Sequence, residues 1–221
     1  MAIWHTGKVV PFIHNDINTD DIAFSHVLKR VQLTGFEKFS FLSYRYKHYE
    51  LNINDRIGDF EIVGELNPDC ELNDAQYKGA DIFLTGSNFG CGSSREHAVW
   101  AMSVYKVIIA TKTAKKSGFA DIFRGNATNN GILTIELSKE NVNSIQKYIN
   151  NENLISIDLE NKTILMGTEP SFEKISFDLP ESIYKSILSG KNVFDVALEQ
   201  QSEIDAFVEK EHYTFGKISV E

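Results

Sequence analysis

The sequence predicts an α/β fold, because short apolar runs of strand length occur together with longer segments of helical pattern. The apolar runs at 82–84 and 107–110 are typical of buried strands. A third observation is the glycine-rich segment 86–92, which follows the first run and precedes an apolar, helix-like stretch at 98–104. That order predicts a strand, a tight turn and the start of a helix.

The first half of the chain predicts few regular elements, because its apolar runs are short and polar residues separate them. The predicted elements are a strand at 8–13, a polar loop at 15–21, short helices and loops over 25–50, irregular structure over 55–74, and a strand at 81–85 that leads through the turn into a helix ending near Tyr105.

The second half predicts more regular structure, and Ser138 with Glu140 near it marks a helix start. The segment 154–166 alternates as a hairpin does and turns at 160–161. The other predicted elements are a strand at 107–110, a short helix at 117–124, a strand at 132–137, a helix from Ser138 to about 150, and helices at 180–188 and 193–210 separated by 189–190.

Composition excludes several classes of protein. The net charge is −9 and no basic run offsets it, which argues against a nucleic-acid partner. No apolar stretch approaches membrane-spanning length, and the N-terminus lacks the order of a signal peptide, so we expect no membrane partner and a cytoplasmic location. The two cysteines, Cys70 and Cys91, are too few for an iron–sulfur cluster, which usually takes three or four, so we expect no metal or cofactor in this chain.

The glycine-rich turn has the features of an anion site. Gly86, Gly90 and Gly92 allow positive φ and close approach of a ligand to the backbone. Ser93 and Glu96 have the spacing of a capping box, which predicts where the helix begins. Backbone N–H groups and the positive end of the helix dipole would then face the ligand.

Side chains add to this anion site. Arg95 has a planar, permanently charged fork that suits a carboxylate or phosphate, and Ser93 and Ser94 supply two hydroxyls. The nucleotide phosphate loop, the dinucleotide fingerprint and the nucleophile elbow all require spacings that the segment lacks. A tight turn that binds nothing remains an alternative. Cys91 is a candidate nucleophile at a helix start, but a packing role is favoured.

The string Asn-Phe-Gly-Cys-Gly-Ser-Ser-Arg-Glu-His-Ala at 88–98 resembles the signature of the aconitase superfamily's swivelling domain. It is most similar to the small-subunit family of the bacterial 3-isopropylmalate dehydratases. Further matches occur in the same order: His-Thr-Gly at 5–7, Val-Val-Pro at 9–11, Asn-Thr-Asp at 18–20, Thr-Gly-Phe at 34–36, Phe-Ala-Asp-Ile-Phe at 119–123, Gly-Asn at 125–126 and Asn-Asn-Gly at 129–131.

This resemblance implies an aconitase-like swivelling domain of β/β/α type, with a mixed sheet flanked by helices. We expect one domain over 1–221, of which 138–221 is the less diagnostic C-terminal part. The implied activity is that of a hydro-lyase subunit that isomerises 2-isopropylmalate to 3-isopropylmalate in leucine biosynthesis. The implied partner is a large subunit that carries a [4Fe–4S] cluster, and the implied substrate is a small hydroxy diacid.

The resemblance also assigns roles to residues. Ser93 is the implied catalytic base, working as an alkoxide, and Asp20 is the implied group for proton or water handling. Arg95 is expected to hold a substrate carboxylate, with Ser94 and Gly92 also in contact with the substrate. The alternative for Asp20 is a turn residue that bonds its own backbone.

Two departures from the family pattern bear on the substrate. Asn18 stands where an aspartate is usual, and Leu33 stands where an arginine often meets the substrate. Arg30, one helical turn earlier, is therefore a candidate substrate-binding residue. A homoaconitate or methyl-substituted malate is the alternative substrate, and a non-catalytic regulatory subunit and a stand-alone phosphate or nucleotide binder are the alternative functions.

For four further side chains in the matched segments we expect a role in packing rather than in function. These are His97, Phe119, Ile122 and Phe123.

Overall fold

A computed structural model describes residues 3–25, 34–53, 60–150, 152–190 and 198–210 of the chain. Nine strands lie in these segments and form one sheet of seven strands and one of two. The strands are β1 His5–Phe12, β2 Tyr46–Ile53, β3 Phe60–Leu66, β4 Ile82–Thr85, β5 Val107–Lys112, β6 Leu133–Ser138, β7 Leu154–Asp158, β8 Thr163–Met166 and β9 Glu173–Ser176.

Seven α-helices are seen in the same segments, together with short 3₁₀ turns. None of these helices is long and apolar enough to cross a membrane. The helices are α1 Thr19–Ile22, α2 Leu42–Arg45, α3 Glu96–Ala101, α4 Asp121–Asn129, α5 Lys139–Ile149, α6 Glu181–Ser189 and α7 Gln201–Lys210, and the 3₁₀ turns are Glu37–Phe39, Glu71–Asn73 and Ala75–Tyr77.

The large sheet is mixed, with the order β6-β5-β4-β1-β7-β8-β9. The C-terminal half of β1 pairs in parallel with β4, and β4, β5 and β6 continue in parallel. The N-terminal half of β1 pairs antiparallel with β7, and β8 and β9 follow antiparallel. The predicted α/β fold, a mixed sheet flanked by helices, is therefore confirmed.

The central strands are buried on both faces, because successive side chains of a strand point to opposite sides of a sheet. On β4, Phe83 lies in an aromatic cluster with Phe12 and Phe89, whereas Ile82 and Leu84 lie in an aliphatic cluster. Helices α3 and α4 cover the aromatic side, and α5 and α6 cover the aliphatic side. This explains why the strands of the parallel half are continuous apolar runs.

The parallel register decides where the candidate site lies. Strands β1, β4 and β5 run in the same direction, so their carboxyl ends meet at one edge of the sheet. The segments that leave these ends are 13–18, 86–95 and 113–120. Ligands of open α/β sheets commonly bind at this edge.

Most predicted elements are confirmed. The strands at 8–13, 81–85, 107–110 and 132–137, the hairpin at 154–166 and the helix at 180–188 all occur with small changes of boundary. Ser138 caps α5 as predicted, since its Oγ accepts a hydrogen bond from the N–H of Asn141 at 3.3 Å. The last predicted helix is helical over Gln201–Lys210, and its beginning falls on 191–197, outside the described residues.

The predictions for 25–50 and 55–74 are wrong where β2 and β3 form a two-stranded antiparallel sheet. The sequence pattern does not predict these strands, because they form a half-exposed hairpin and are not buried on both faces. Cross-strand contacts stabilise it, such as the Lys47 Nζ–Glu65 Oε1 ion pair at 2.8 Å. Strand β9, short and exposed at most of its positions, was also not predicted.

The helix predicted at 117–124 begins at Asp121 instead. Its expected first turn is extended, because it pairs with the glycine-rich segment. The N–H of Asn88 donates to the Ser117 carbonyl at 2.9 Å, and the N–H of Phe89 donates to the Gly118 carbonyl at 2.8 Å. This long-range pairing outweighs the local helical pattern.

Gly90 is a position where this packing leaves no room for a side chain. Its φ is +74°, and a Cβ there would overlap the ring of Phe123. We expect Gly90→Ala to lower the free energy of unfolding by about 2–4 kcal/mol, measured by urea denaturation. Gly125→Ala is the matched control, because Gly125 is helical with open space around it, and we expect that change to stabilise by up to about 1 kcal/mol. Equal stability of the two variants would contradict this packing.

Candidate functional site

The glycine-rich loop is held to the segment that follows β1 by main-chain hydrogen bonds. The N–H groups of Gly90 and Cys91 donate to the Ile17 carbonyl at 2.8 and 3.2 Å, and the N–H of Thr19 donates to the Cys91 carbonyl at 2.9 Å. The buried hydroxyl of Thr19 donates to the Ser93 carbonyl at 2.9 Å. These bonds fix the backbone on both sides of Gly92 relative to the Asn-Thr-Asp segment.

A cavity of about 280 Å³ lies beside this loop. It is lined by residues that are far apart in sequence, from the glycine-rich loop at 86–95 (the signature loop), from α1 and from the first turns of α4. The lining residues are Thr19, Gly90, Gly92, Ser93, Ser94, Arg95, Ala120, Asp121, Ile122, Phe123 and Asn126. Another cavity, about 390 Å³ and lined in part by Tyr77 and Tyr105, contains none of the predicted site residues.

The structure thus brings together most of the predicted site residues. Gly92, Ser93 and Ser94 are exposed at the cavity, and Arg95 is partly buried beside them. Asp20 does not line the cavity but contacts it through Arg95. Arg30 and Leu33 lie outside the described residues.

The charge of the site differs from the sequence-based expectation of an anion site. The guanidinium Nη1 of Arg95 donates to the carboxylate Oδ1 of Asp20. Among the described lining residues Arg95 is the one cationic side chain, and Asp121 adds a second carboxylate. An anion must therefore share or displace the Asp20 carboxylate before it can bind the guanidinium.

The predicted capping box from Ser93 to Glu96 is wrong. Arg95 is the N-cap of α3, with extended backbone and no side-chain cap. The Ser93 carbonyl accepts from the Arg95 N–H at 2.8 Å, and the Glu96 carboxylate accepts instead from the side chain of Asn130 at 2.9 Å. The Ser93 hydroxyl takes no part in capping and is left exposed at the cavity.

A capping box does occur at α1, where Asn18 departs from the family pattern. The Asn18 Oδ1 accepts from the Asp21 N–H at 2.9 Å, and the Asp21 Oδ2 accepts from the Asn18 N–H at 3.0 Å. Asparagine is as good an N-cap as aspartate, so the substitution preserves the loop. Asp21 rather than Asp20 bonds the backbone of this turn, which leaves Asp20 available to Arg95.

Cys91 and His97 have the properties of packing residues. Burial raises the pKa of the Cys91 thiol, and its Sγ lies 3.5 Å from the carbonyl oxygens of Asp16 and Ile17. Such surroundings disfavour a thiolate nucleophile. Burial also lowers the pKa of His97, whose ring lies 4.6 Å from that of Trp100.

Of the aromatic and aliphatic residues predicted to pack, Phe119 and Phe123 are buried as expected. Ile122 is not: it is 55% exposed and lines the cavity. The packing interpretation of Ile122 is therefore wrong. Helix α4 turns Phe123 toward the core and leaves the preceding side chain facing the site.

Glu136 on β6 holds two segments next to the cavity in place. Sequence analysis missed this residue because it lies in no motif. Its Oε1 accepts from the Ser117 Oγ at 2.6 Å and the Gly118 N–H at 2.7 Å, and its Oε2 lies 3.6 Å from Nη1 of Arg124 on α4. Burial opposes the charge, yet these contacts and Lys112 keep the pKa of the carboxyl below its ordinary value. Glu136 thereby ties both the 117–118 segment and α4 to the sheet.

The described residues contain no group of three histidine, cysteine or acidic side chains placed to hold a metal ion. Cys70 is buried in the aromatic cluster and Cys91 lies in the loop, so the two thiols are not gathered at one centre. The donor set in the described part of the chain therefore does not fit an iron–sulfur cluster.

Comparison with known proteins assigns this fold to a class. Residues 3–140 match the family model described as the aconitase C-terminal domain. A solved structure of 3-isopropylmalate dehydratase from Methanocaldococcus jannaschii has the same fold, with a TM-score of 0.57 and 23% sequence identity over 91% of this chain and 96% of that one.

Relatives similar along nearly the whole chain narrow the assignment. The 3-isopropylmalate dehydratase small subunit of Bacillus cytotoxicus is 36% identical over 208 residues, which cover 93% of this chain and 95% of the relative. The small subunits of Bacillus subtilis and Neisseria meningitidis are 35% and 38% identical, over 92% and 93% of this chain and 92% of each relative. The chain belongs to the family of 3-isopropylmalate dehydratase small subunits.

The role of Glu136 predicts a pH-dependent stability. Because the folded pKa is lowered, the charged form contributes stability above the ordinary glutamate pKa of about 4.3, and this is lost as the pH falls through the lower folded value. We expect Glu136→Gln to be less stable than wild type by about 1–2 kcal/mol near neutral pH, a difference that shrinks in acid. Denaturation across this pH range measures it. Exposed Glu160→Gln is the control, and a pH-independent gap would refute the charge argument.

The Asp20–Arg95 pair predicts that Asp20 competes with anions. We expect Asp20→Asn to strengthen binding of malate to the isolated chain by about fivefold, measured by calorimetry, because the guanidinium is released and a repelling charge is lost. Asp16→Asn removes an equally exposed carboxylate that pairs with Lys116 instead, and should leave binding unchanged. Equal or weaker binding in Asp20→Asn would show that the pair does not limit access to Arg95.

Proposed function

We propose that this chain is the small subunit of a 3-isopropylmalate dehydratase. In that role it acts with a large subunit to isomerise 2-isopropylmalate to 3-isopropylmalate, by removal and re-addition of water, in cytoplasmic leucine biosynthesis. The observation that carries the proposal is the exposure of Ser93 beside Arg95 in one cavity at the carboxyl edge of the parallel strands. The 36% sequence identity to the small subunit of Bacillus cytotoxicus, over 93% of this chain, supports the proposal.

In this proposal Ser93 exchanges the proton on the carbon next to a substrate carboxylate. A serine alkoxide is very unstable in water, so the site has to stabilise negative charge and exclude solvent. The Arg95 guanidinium lines the same cavity as Ser93 and is the proposed source of this stabilisation. Ser93 and Ser94 are exposed in this chain alone, which supports a site completed only when a partner covers the loop.

The substrate contacts follow from the same cavity. Arg95 holds a carboxylate, for which Asp20 must yield or share the guanidinium, and Ser94 and Gly92 contact the substrate from the loop. Asp20 then serves in proton or water handling on the side that faces the partner. Arg30 is proposed as the second cation for the dianionic substrate, because the described cavity has no excess of positive charge.

The large subunit is the proposed carrier of a [4Fe–4S] cluster, which would act as the Lewis acid toward the leaving hydroxyl. The two separated thiols of this chain support placing the cluster on the partner. The contribution of this chain is limited to proton exchange, carboxylate binding and closure of the site. Its proposed ligands are thus the large subunit and a small hydroxy diacid, with no nucleic acid or membrane.

The test mixes this chain anaerobically with the cluster-loaded large subunit from the same source and offers 2-isopropylmalate, homocitrate and citramalate. We expect turnover of 2-isopropylmalate by the complex and none by the chain alone. Ser93→Ala should lose about 10³-fold in kcat, because it removes the proton-transfer group, while its affinity for the large subunit stays unchanged.

Ser94→Ala is the matched control and should lose about tenfold or less, since it removes one hydrogen bond to the substrate. Wild-type kcat in Ser93→Ala would overturn the assigned base. A preference for homocitrate or citramalate would keep the reaction and change the substrate. A stable complex without turnover of any of the three acids would favour a regulatory subunit.

A further inference from the structure

Helix α4 presents two different side-chain pairs at helical spacing. Phe123 and Ala127, four residues apart, are buried in the aromatic cluster. Ile122 and Asn126, also four residues apart, both line the cavity beside the signature loop. The first turn of α4 therefore contributes one side chain to the core and the adjacent one to the site.

Single exposed apolar side chains are common on protein surfaces and need no explanation. Ile122 differs because its 55% exposed side chain lies in a cavity that it shares with Ser93 and Arg95. The other lining residues on the same chain segment are of both kinds: Ala120 and Phe123 are apolar, and Asp121 and Asn126 are polar. The α4 side of the cavity therefore presents one well-exposed apolar side chain, that of Ile122, among polar neighbours, and the loop supplies the guanidinium and the hydroxyls.

The exposed Ile122 side chain and the polar loop match the two chemical parts of a branched hydroxy diacid. A carboxylate needs the guanidinium and hydroxyls of the loop, whereas a branched alkyl group is stabilised by apolar surface that would otherwise face water. We propose that the exposed side chain of Ile122 receives the alkyl substituent of the substrate and selects for its size. The inference rests on the proposed function and identifies the residue that distinguishes isopropylmalate from smaller malates.

Ile122 has a specificity role and no part in bond making or breaking. Shortening it should therefore raise KM for the branched substrate more than it lowers kcat. One missing methylene in a hydrophobic pocket changes discrimination by about 10-fold or more, and Ile122→Ala removes three carbon atoms. We expect Ile122→Ala to lower kcat/KM for 2-isopropylmalate by about 30-fold and that for citramalate, which bears a methyl group, by less than about threefold.

The experiment measures both substrates with the full complex of small and large subunits. Ile122→Val, which keeps most of the apolar surface, should lie between wild type and Ile122→Ala in its selectivity. Leu154→Ala is the matched control, because Leu154 is 56% exposed at the start of β7 and does not line the cavity. It should leave the ratio of the two kcat/KM values unchanged.

The outcomes separate this inference from the proposed function. Absence of 2-isopropylmalate turnover in the wild-type complex would overturn the proposed function and this inference with it. Normal wild-type turnover with an unchanged substrate ratio in Ile122→Ala would overturn the inference alone. An equal loss for both substrates, together with weaker binding of the large subunit, would assign Ile122 to the interface between subunits instead.

Discussion

The candidate site depends on the hydrogen bonds that hold the signature loop between its two neighbours. The Ile17 carbonyl accepts from Gly90 and Cys91 on one side, and the carbonyls of 117–118 accept from 88–89 on the other. These bonds extend the parallel pairing of β1, β4 and β5 beyond the strands themselves. Three loops distant in sequence thus become one surface, which is why Ser93, Arg95 and α4 share a cavity.

The charged groups of this surface leave little net positive charge for an anion. The guanidinium of Arg95 is neutralised by Asp20, Asp121 adds further negative charge, and the exposed hydroxyl of Ser93 is open to water. A dianionic substrate gains little from such surroundings, and an alkoxide would not persist in them. A partner that covered the loop would relieve both difficulties, because desolvation strengthens each charge interaction within it. The physical chemistry of the chain therefore agrees with its membership of a small-subunit family.

The sequence predicted the buried elements well and the half-exposed ones poorly. Continuous apolar runs identified β4 and β5, since strands covered on both faces have little room for polar residues. The β2–β3 hairpin was missed, because its stability depends on cross-strand contacts that a linear pattern does not display. Glu136 was missed for a similar reason: its partners at 117–118 and Arg124 are assembled only by the fold.

By itself the sequence determined the local chemistry of the site: a strand, a turn in which Gly90 and Gly92 have positive φ as expected although Gly86 does not, and Ser93 and Arg95 within three residues of each other. Such features depend on neighbouring residues and can therefore be predicted from the local sequence. Only the tertiary structure decided that Arg95 pairs with Asp20, 75 residues away, and that Ile122 faces the cavity while Phe123 faces the core. Long-range pairing and the rotation of a helix depend on what packs against each element, and that information is absent from any local segment of the chain.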